Sequence, residues 1–187
     1  TYIHGGGFTG GDKSRYYQSG DLIRFLEAGV SVATVNYRYM TEAPYGIKAS
    51  MNDVKRFVQY IRHNHIKYNI DKEKIACSGG SAGAGTALWL AFSDDMCEPG
   101  SSDPVLHEST RLLCAGAFAT QSTYDIFKWE KILGFPIRNS HEQLSVIAAA
   151  FGFKTYENVN LFEQADIRRD LDFLDKMDKN DAPVFVF

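Results

Sequence analysis

Between Cys77 and Gly85 the chain runs CSGGSAGAG, nine residues of which none carries a large side chain, with Ser81 at their centre. Such residues collect where backbone must turn sharply or come close to other backbone, because neither can tolerate bulk. The flanks define the turn: Ile75 to Ser78 has the character of a short buried strand, and Ala82 to Phe92 that of a helix. Gly79-Gly80-Ser81-Ala82-Gly83 therefore fits G-x-S-x-G in a strand-to-helix turn, with Gly79 and Gly83 making room for a strained serine whose hydroxyl stands clear. The start of a helix also favours negative charge developing nearby. A Gly-rich strand-to-helix turn serves phosphate binding as well, so this motif alone leaves two chemistries open.

The elements around the turn restrict the fold further. Strands are expected at about residues 1–3, 30–37, 74–78, 112–120 and 183–187. Helices are expected over Asp21 to Ala28, with Asp21 as cap and Gly29 as stop, and from about Ala49, where Met51, Val54, Phe57, Val58 and Ile61 recur at spacings of three and four. Strands alternating with helices of this length predict an α/β fold, a doubly wound and mostly parallel sheet with helices on both faces. The stretch from Tyr124 to Asp181 is too long for one crossover. With its aromatics and two or three helical segments, it suggests a helical cap inserted over residues 123–181 within a single domain, 1–187.

Composition removes several classes of partner. With 44% hydrophobic residues, 187 residues suffice for one real core. Twenty basic residues against twenty-three acidic ones leave a formal charge of -3, no footprint for nucleic acid or an anionic membrane. No apolar run reaches the roughly 20 residues needed to span a bilayer. Cys77, Cys97 and Cys114 form no C-x-x-C pair, which argues against a zinc knuckle and against a disulfide framework. The chain opens on TYIHGGG without an initiator Met and closes on APVFVF, each resembling a strand, so the reading is of an internal piece of a longer protein, truncated at both ends.

A second glycine motif completes the first. HGGGF, His4 to Phe8, follows the first strand and supplies flexible backbone whose N–H groups can face an oxyanion. With this loop and the elbow in register, the chain resembles the α/β-hydrolase superfamily, and within it the hormone-sensitive-lipase-like esterases. NYRYMTEAPY, Asn36 to Tyr45, resembles that family's N-Y-R-L-A-P-E segment, although Thr41 stands where the family has Pro, and Gly80 where it usually has Asp. The resemblance implies hydrolysis of small or medium acyl esters through an acyl-enzyme on Ser81. Gly5, Gly6 and Ala82 would donate to the oxyanion, His4, Gly7, Gly79 and Gly83 would support loop and elbow, and no metal or organic cofactor would take part. Peptidases, lactonases and formamidases share the elbow, and inactive relatives that bind ligands stay open as alternatives.

The resemblance also implies the order nucleophile, acid, base, with the acid after the strand that follows the cap. That places the triad Asp and His beyond Phe187. Of the histidines present, His4 belongs to the oxyanion motif, His63 and His65 end a helix on different faces, His107 lies in a polar loop, and His141 sits in the SHEQ capping pattern. Asp94 and Asp95 follow the elbow helix, and Asp166, Asp170, Asp172, Asp175 and Asp178 are expected on a solvated helical face. Asp53 and Glu42 are expected to be structural, and Cys77 a small buried hydrophobe. Tyr124, Phe127, Trp129, Phe135, Phe151 and Phe153 serve either to line an acyl pocket or to hold the cap to the core, the second being the simpler role. Tyr16 and Tyr17 stand close enough in the chain to edge the pocket.

Overall fold

In the computed structural model five parallel strands form one sheet. They are β1 (Tyr2–Ile3), β2 (Thr34–Val35), β3 (Cys77–Gly80), β4 (Ala115–Phe118) and β5 (Val184–Val186), in spatial order β2-β1-β3-β4-β5. The structure describes residues 1–42, 44–136, 140–160 and 163–187. The remaining positions fall within the NYRYMTEAPY segment and the expected cap, and what was read there lies outside the described residues. Ile3, Gly79, Ala117 and Val186 stand side by side across the sheet. All five expected strands are present, but β2 is shorter than the 30–37 stretch. The cause is β1, which leaves the sheet at His4 to enter the glycine loop, so its neighbour gains only two paired residues. The third strand runs on to Gly80, because Gly79 and Gly80 are paired with Ala117 and Phe118.

Seven helices accompany the strands among the described residues: α1 (Asp21–Glu27), α2 (Gly46–His63), α3 (His65–Tyr68), α4 (Ala82–Phe92), α5 (Trp129–Leu133), α6 (His141–Ala150) and α7 (Ala165–Leu171). Every residue of α4 is buried, as befits a helix without one charged side chain. It packs on β1, β3 and β4 from the face where Ile3, Cys77, Ala115 and Ala117 point, and α2 lies beside it with Met51, Val54 and Val58 turned inward. A 3₁₀ turn, Lys13–Gln18, reaches the other face, where Tyr16 stacks on Tyr2 with ring centroids 4.2 Å apart. The helix expected from Ala49 begins three residues earlier, at Gly46. Asp21 is the first residue of α1 rather than its cap, the N-cap being Gly20, and no residue of α1 is buried. No helix among the described residues is long and apolar enough to cross a membrane.

Between β4 and β5 the described residues form α5, α6, α7 and three 3₁₀ turns. Ser140 and Gln143 close a capping box at the start of α6, as the SHEQ pattern predicts. The segment packs on α2 and α4, and Tyr124, Ile126, Phe151, Leu171 and Phe173 enter the same core as Trp89 and Met51. The expected solvated face is not uniform. Asp172 is buried and paired with Lys128, and Asp170 accepts from Lys48, Lys176 and the Trp89 indole.

Candidate active site

Ser81 stands at the C-terminal edge of the sheet, between the last residue of β3 and the first of α4, with φ 52° and ψ -118°. A non-glycine residue held in so sparsely populated a region costs roughly 1–3 kcal/mol and persists only where its surroundings fix it. Here the Ser81 N–H donates to the Phe118 carbonyl at 2.9 Å, and its own carbonyl accepts from Gly85 at 3.1 Å. The two flanking glycines are required by contact: a Cβ on Gly79 would lie 2.5 Å from the Ile3 carbonyl oxygen, and one on Gly83 would overlap the same oxygen. Gly80 differs, since a Cβ there would meet only the Tyr2 hydroxyl, 3.8 Å away.

The HGGGF loop folds directly against this turn. A Cβ on Gly5 would be 2.7 Å from the Gly80 carbonyl oxygen and 3.3 Å from Ser81 Cβ. The Gly6 carbonyl closes the loop on itself, accepting from the N–H groups of Thr9 at 3.0 Å and Gly10 at 3.2 Å. Among the described residues the N–H groups of Gly5 and Gly6 meet no backbone acceptor. Ala82 is the first residue of α4, where a helix offers its own N–H no partner. The three expected oxyanion donors thus belong to adjoining pieces of backbone at the serine, and Gly7, with φ 60°, completes the loop.

His4 sits under the loop and is buried. Its Nδ1 is 2.8 Å from the Gly5 carbonyl oxygen, its ring stacks on Tyr37 at 4.3 Å, and the Tyr37 hydroxyl donates to the His4 carbonyl at 2.8 Å. Burial pushes the Tyr37 hydroxyl far up, so it stays a donor. Asp12 anchors the far end of the loop, accepting from the Ser14 N–H and from Asn36. The bonds from Ser14 and Asn36 hold its carboxyl well below the ordinary range.

The other histidines have partners elsewhere. His63 faces Glu108 at 3.4 Å, His65 Nδ1 meets the Arg62 carbonyl, His107 Nε2 meets the Ser101 carbonyl, and His141 opens α6. Asp53 holds Arg38 by a bidentate pair, and Cys77 is buried with its thiol pushed up by burial. Asp95 binds the backbone of Cys97 and Thr110. Of the six aromatics weighed for a pocket, Tyr124 and Phe151 are buried, Phe127, Trp129 and Phe153 are half-buried against the core, and Phe135 is exposed. Tyr17 is exposed and lines a cavity with Val30 to Thr34 and Tyr68. Phe8, to which the HGGGF pattern assigns no role, is buried at φ 60° between Tyr37 and Tyr124.

A parallel sheet with a glycine loop and a strained serine at the ends of β1 and β3 is the α/β-hydrolase fold. Within it the chain belongs to the BD-FAE family, whose model matches residues 1–187. It is 28% identical over 149 residues to the esterase LipQ of Mycobacterium tuberculosis, a match covering 77% of this chain and 31% of LipQ, so the chain spans about a third of that curated relative. Among solved structures it is similar to the acetyl ester-xyloside bifunctional hydrolase from Caldicellulosiruptor lactoaceticus, with a TM-score of 0.69 and 23% identity over 99% of this chain and 59% of that one. It is also similar to a truncated carbohydrate esterase from gut microbiota, with a TM-score of 0.72 and 19% identity over 99% of this chain and 64% of that one. At these identities the likeness to the solved structures is one of fold.

Proposed function

We propose that this chain carries the nucleophile and the oxyanion hole of a serine esterase. The observation behind the reading is Ser81 at φ 52° between β3 and α4, with the Gly5 backbone against it. Ser81 Oγ attacks the ester carbonyl as its proton passes to a base, and the carbonyl oxygen gathers charge facing the N–H groups of Gly5, Gly6 and Ala82. The base then gives that proton to the alcohol oxygen as its bond to the acyl carbon breaks, and water, losing a proton to the same base, cleaves the acyl-enzyme and restores the Ser81 hydroxyl. Losing one such donor typically costs about 2.7–4 kcal/mol of transition-state stabilisation, so the glycine loop is part of the catalytic apparatus in this reading. In this reading the acid and base are carried beyond Phe187, and residues 123–181 cap the site.

The names of the similar proteins, one an acetyl ester-xyloside hydrolase and one a carbohydrate esterase, make small acyl groups on sugars the first substrates to try. The test is fluorophosphonate labelling of the complete protein beside its Ser81→Ala variant, followed by 4-nitrophenyl acetate and butyrate and an acetylated xyloside. Labelling and turnover lost with Ser81→Ala are the expected result. Equal labelling of the two proteins defeats the assignment, and turnover of peptides or formyl amides in place of esters moves it to another reaction on the same elbow.

A further inference from the structure

Tyr124 follows β4 by six residues and reaches both the elbow and Phe8 of the glycine loop. Its hydroxyl donates to the Ala82 carbonyl at 2.9 Å and comes within 3.3 Å of the Ser81 carbonyl. The ring occupies a notch that exists because residue 85 has no side chain, a Cβ there overlapping the phenol oxygen. On one side the ring meets Phe8 edge to face, with centroids 5.1 Å apart at 83°, and on the other it meets Phe173 at 5.4 Å and 77°. Its backbone N–H donates to Leu171 at 3.0 Å, fixing it to the end of α7.

These contacts touch both halves of the oxyanion hole. The Ser81 carbonyl and the Ala82 N–H share one planar peptide unit, so whatever fixes the carbonyl also aims the N–H. Phe8 ends the HGGGF loop, and its carbonyl accepts from Met40 at 2.9 Å, so the ring that presses on Phe8 sets where the loop stands. We propose that Tyr124 is a positioning residue, holding the Ala82 peptide and the HGGGF loop in the mutual register that oxyanion binding needs. The inference rests on the esterase reading above. Tyr124 touches no reacting atom and takes no proton; its buried hydroxyl is pushed far up and stays a donor.

The prediction is selective for the chemical step. Removing a whole oxyanion donor lowers kcat by about 10²–10³-fold, so misaiming one by Tyr124→Phe is expected to lower kcat roughly tenfold. KM should stay within about twofold, since ground-state binding is untouched. Fluorophosphonate labelling of Ser81 should slow in the same proportion. The measurements are made on the complete protein, with Phe8→Leu as a second variant expected to show the same split, and Ile147→Val as a core control that lowers the melting temperature without moving kcat. Wild-type kcat in Tyr124→Phe overturns the proposal. So does a kcat loss that Ile147→Val shares at equal destabilisation, and if Tyr124→Phe does not fold, wild-type kcat in Phe8→Leu does the same. Ser81→Ala separates the two claims: if it retains hydrolysis, the esterase reading falls, and if it is inactive beside an unaffected Tyr124→Phe, only the positioning role falls.

Discussion

Gly83 and Gly80 flank the same serine at two positions and one, yet the contacts assign them different fates. A methyl group on Gly83 would overlap the Ile3 carbonyl and lie 2.8 Å from the His4 carbonyl, where backbone on both sides leaves nothing to yield. Gly83→Ala is therefore expected to lower stability by about 1–3 kcal/mol, the usual range for forced overpacking. Gly80→Ala has open space and an ordinary φ, so a change within about 0.5 kcal/mol is expected, or a slight gain from a stiffer unfolded chain. Urea unfolding midpoints of the two variants decide it, and equal midpoints would mean that the elbow does not depend on the Ile3 contact. The G-x-S-x-G spacing is enough to single out Gly79 and Gly83. It says nothing of Gly85, whose reason is a tyrosine 39 positions further on, because contacts between elements leave no periodic trace in a sequence.

At the scale of elements, apolar spacing made α2 legible and the glycine-rich turn after a strand marked the start of α4, while the five strands emerged in order. What stayed hidden were joints built from charge. Asp170 on α7 accepts from Lys48 on α2, from the Trp89 indole on α4 and from Lys176 in the 3₁₀ turn Phe173–Lys176, four elements meeting at one carboxylate that a charge count assigns to solvent. Burial works against the Asp170 charge, but the bonds from Lys176 and Lys48 outweigh it and hold the carboxyl below its ordinary value. For Lys48 burial prevails, since the single carboxylate it faces is shared with Lys176, and its ammonium is pushed down. The signs follow by linkage. The Asp170 contribution is complete above about pH 4 and is lost as pH falls through the lower folded value. The Lys48 shift opposes folding at neutral pH, and that opposition fades as pH rises through its folded value.

Removing the hub should therefore hurt more than removing one spoke. Asp170→Asn strands two ammonium groups and is expected to cost about 1–3 kcal/mol, kept in that range by the 25% exposure of Asp170 and Lys176 side chains. Lys48→Met leaves the Lys176 bond in place and should lie within about 1 kcal/mol of the wild type. Thermal melts at pH 7 rank the two, and a Lys48→Met loss as large as that of Asp170→Asn would contradict the shared-carboxylate picture.

For the molecule as a whole, the open question is whether residues 123–181 are a separable cap or part of the domain. Their length and aromatic content suggested an insertion, because a sequence shows where a crossover is too long but not which way its side chains turn. Tyr124, Ile126, Phe151, Leu171 and Phe173 turn toward α2 and α4, where they share one core with Trp89, Met51 and Leu88. Burying such side chains is worth about 1.5–3 kcal/mol each, so the five amount to something on the order of 10 kcal/mol. That equals the whole margin of a typical domain, about 5–15 kcal/mol. Excision would also uncover α4, whose eleven residues are all buried and include no charge. Replacing residues 123–181 with a short Gly-Ser linker is thus expected to abolish cooperative unfolding, leaving a species that binds hydrophobic dye and shows no sharp melting transition. A shortened chain that melts cooperatively would establish the segment as an independent lid.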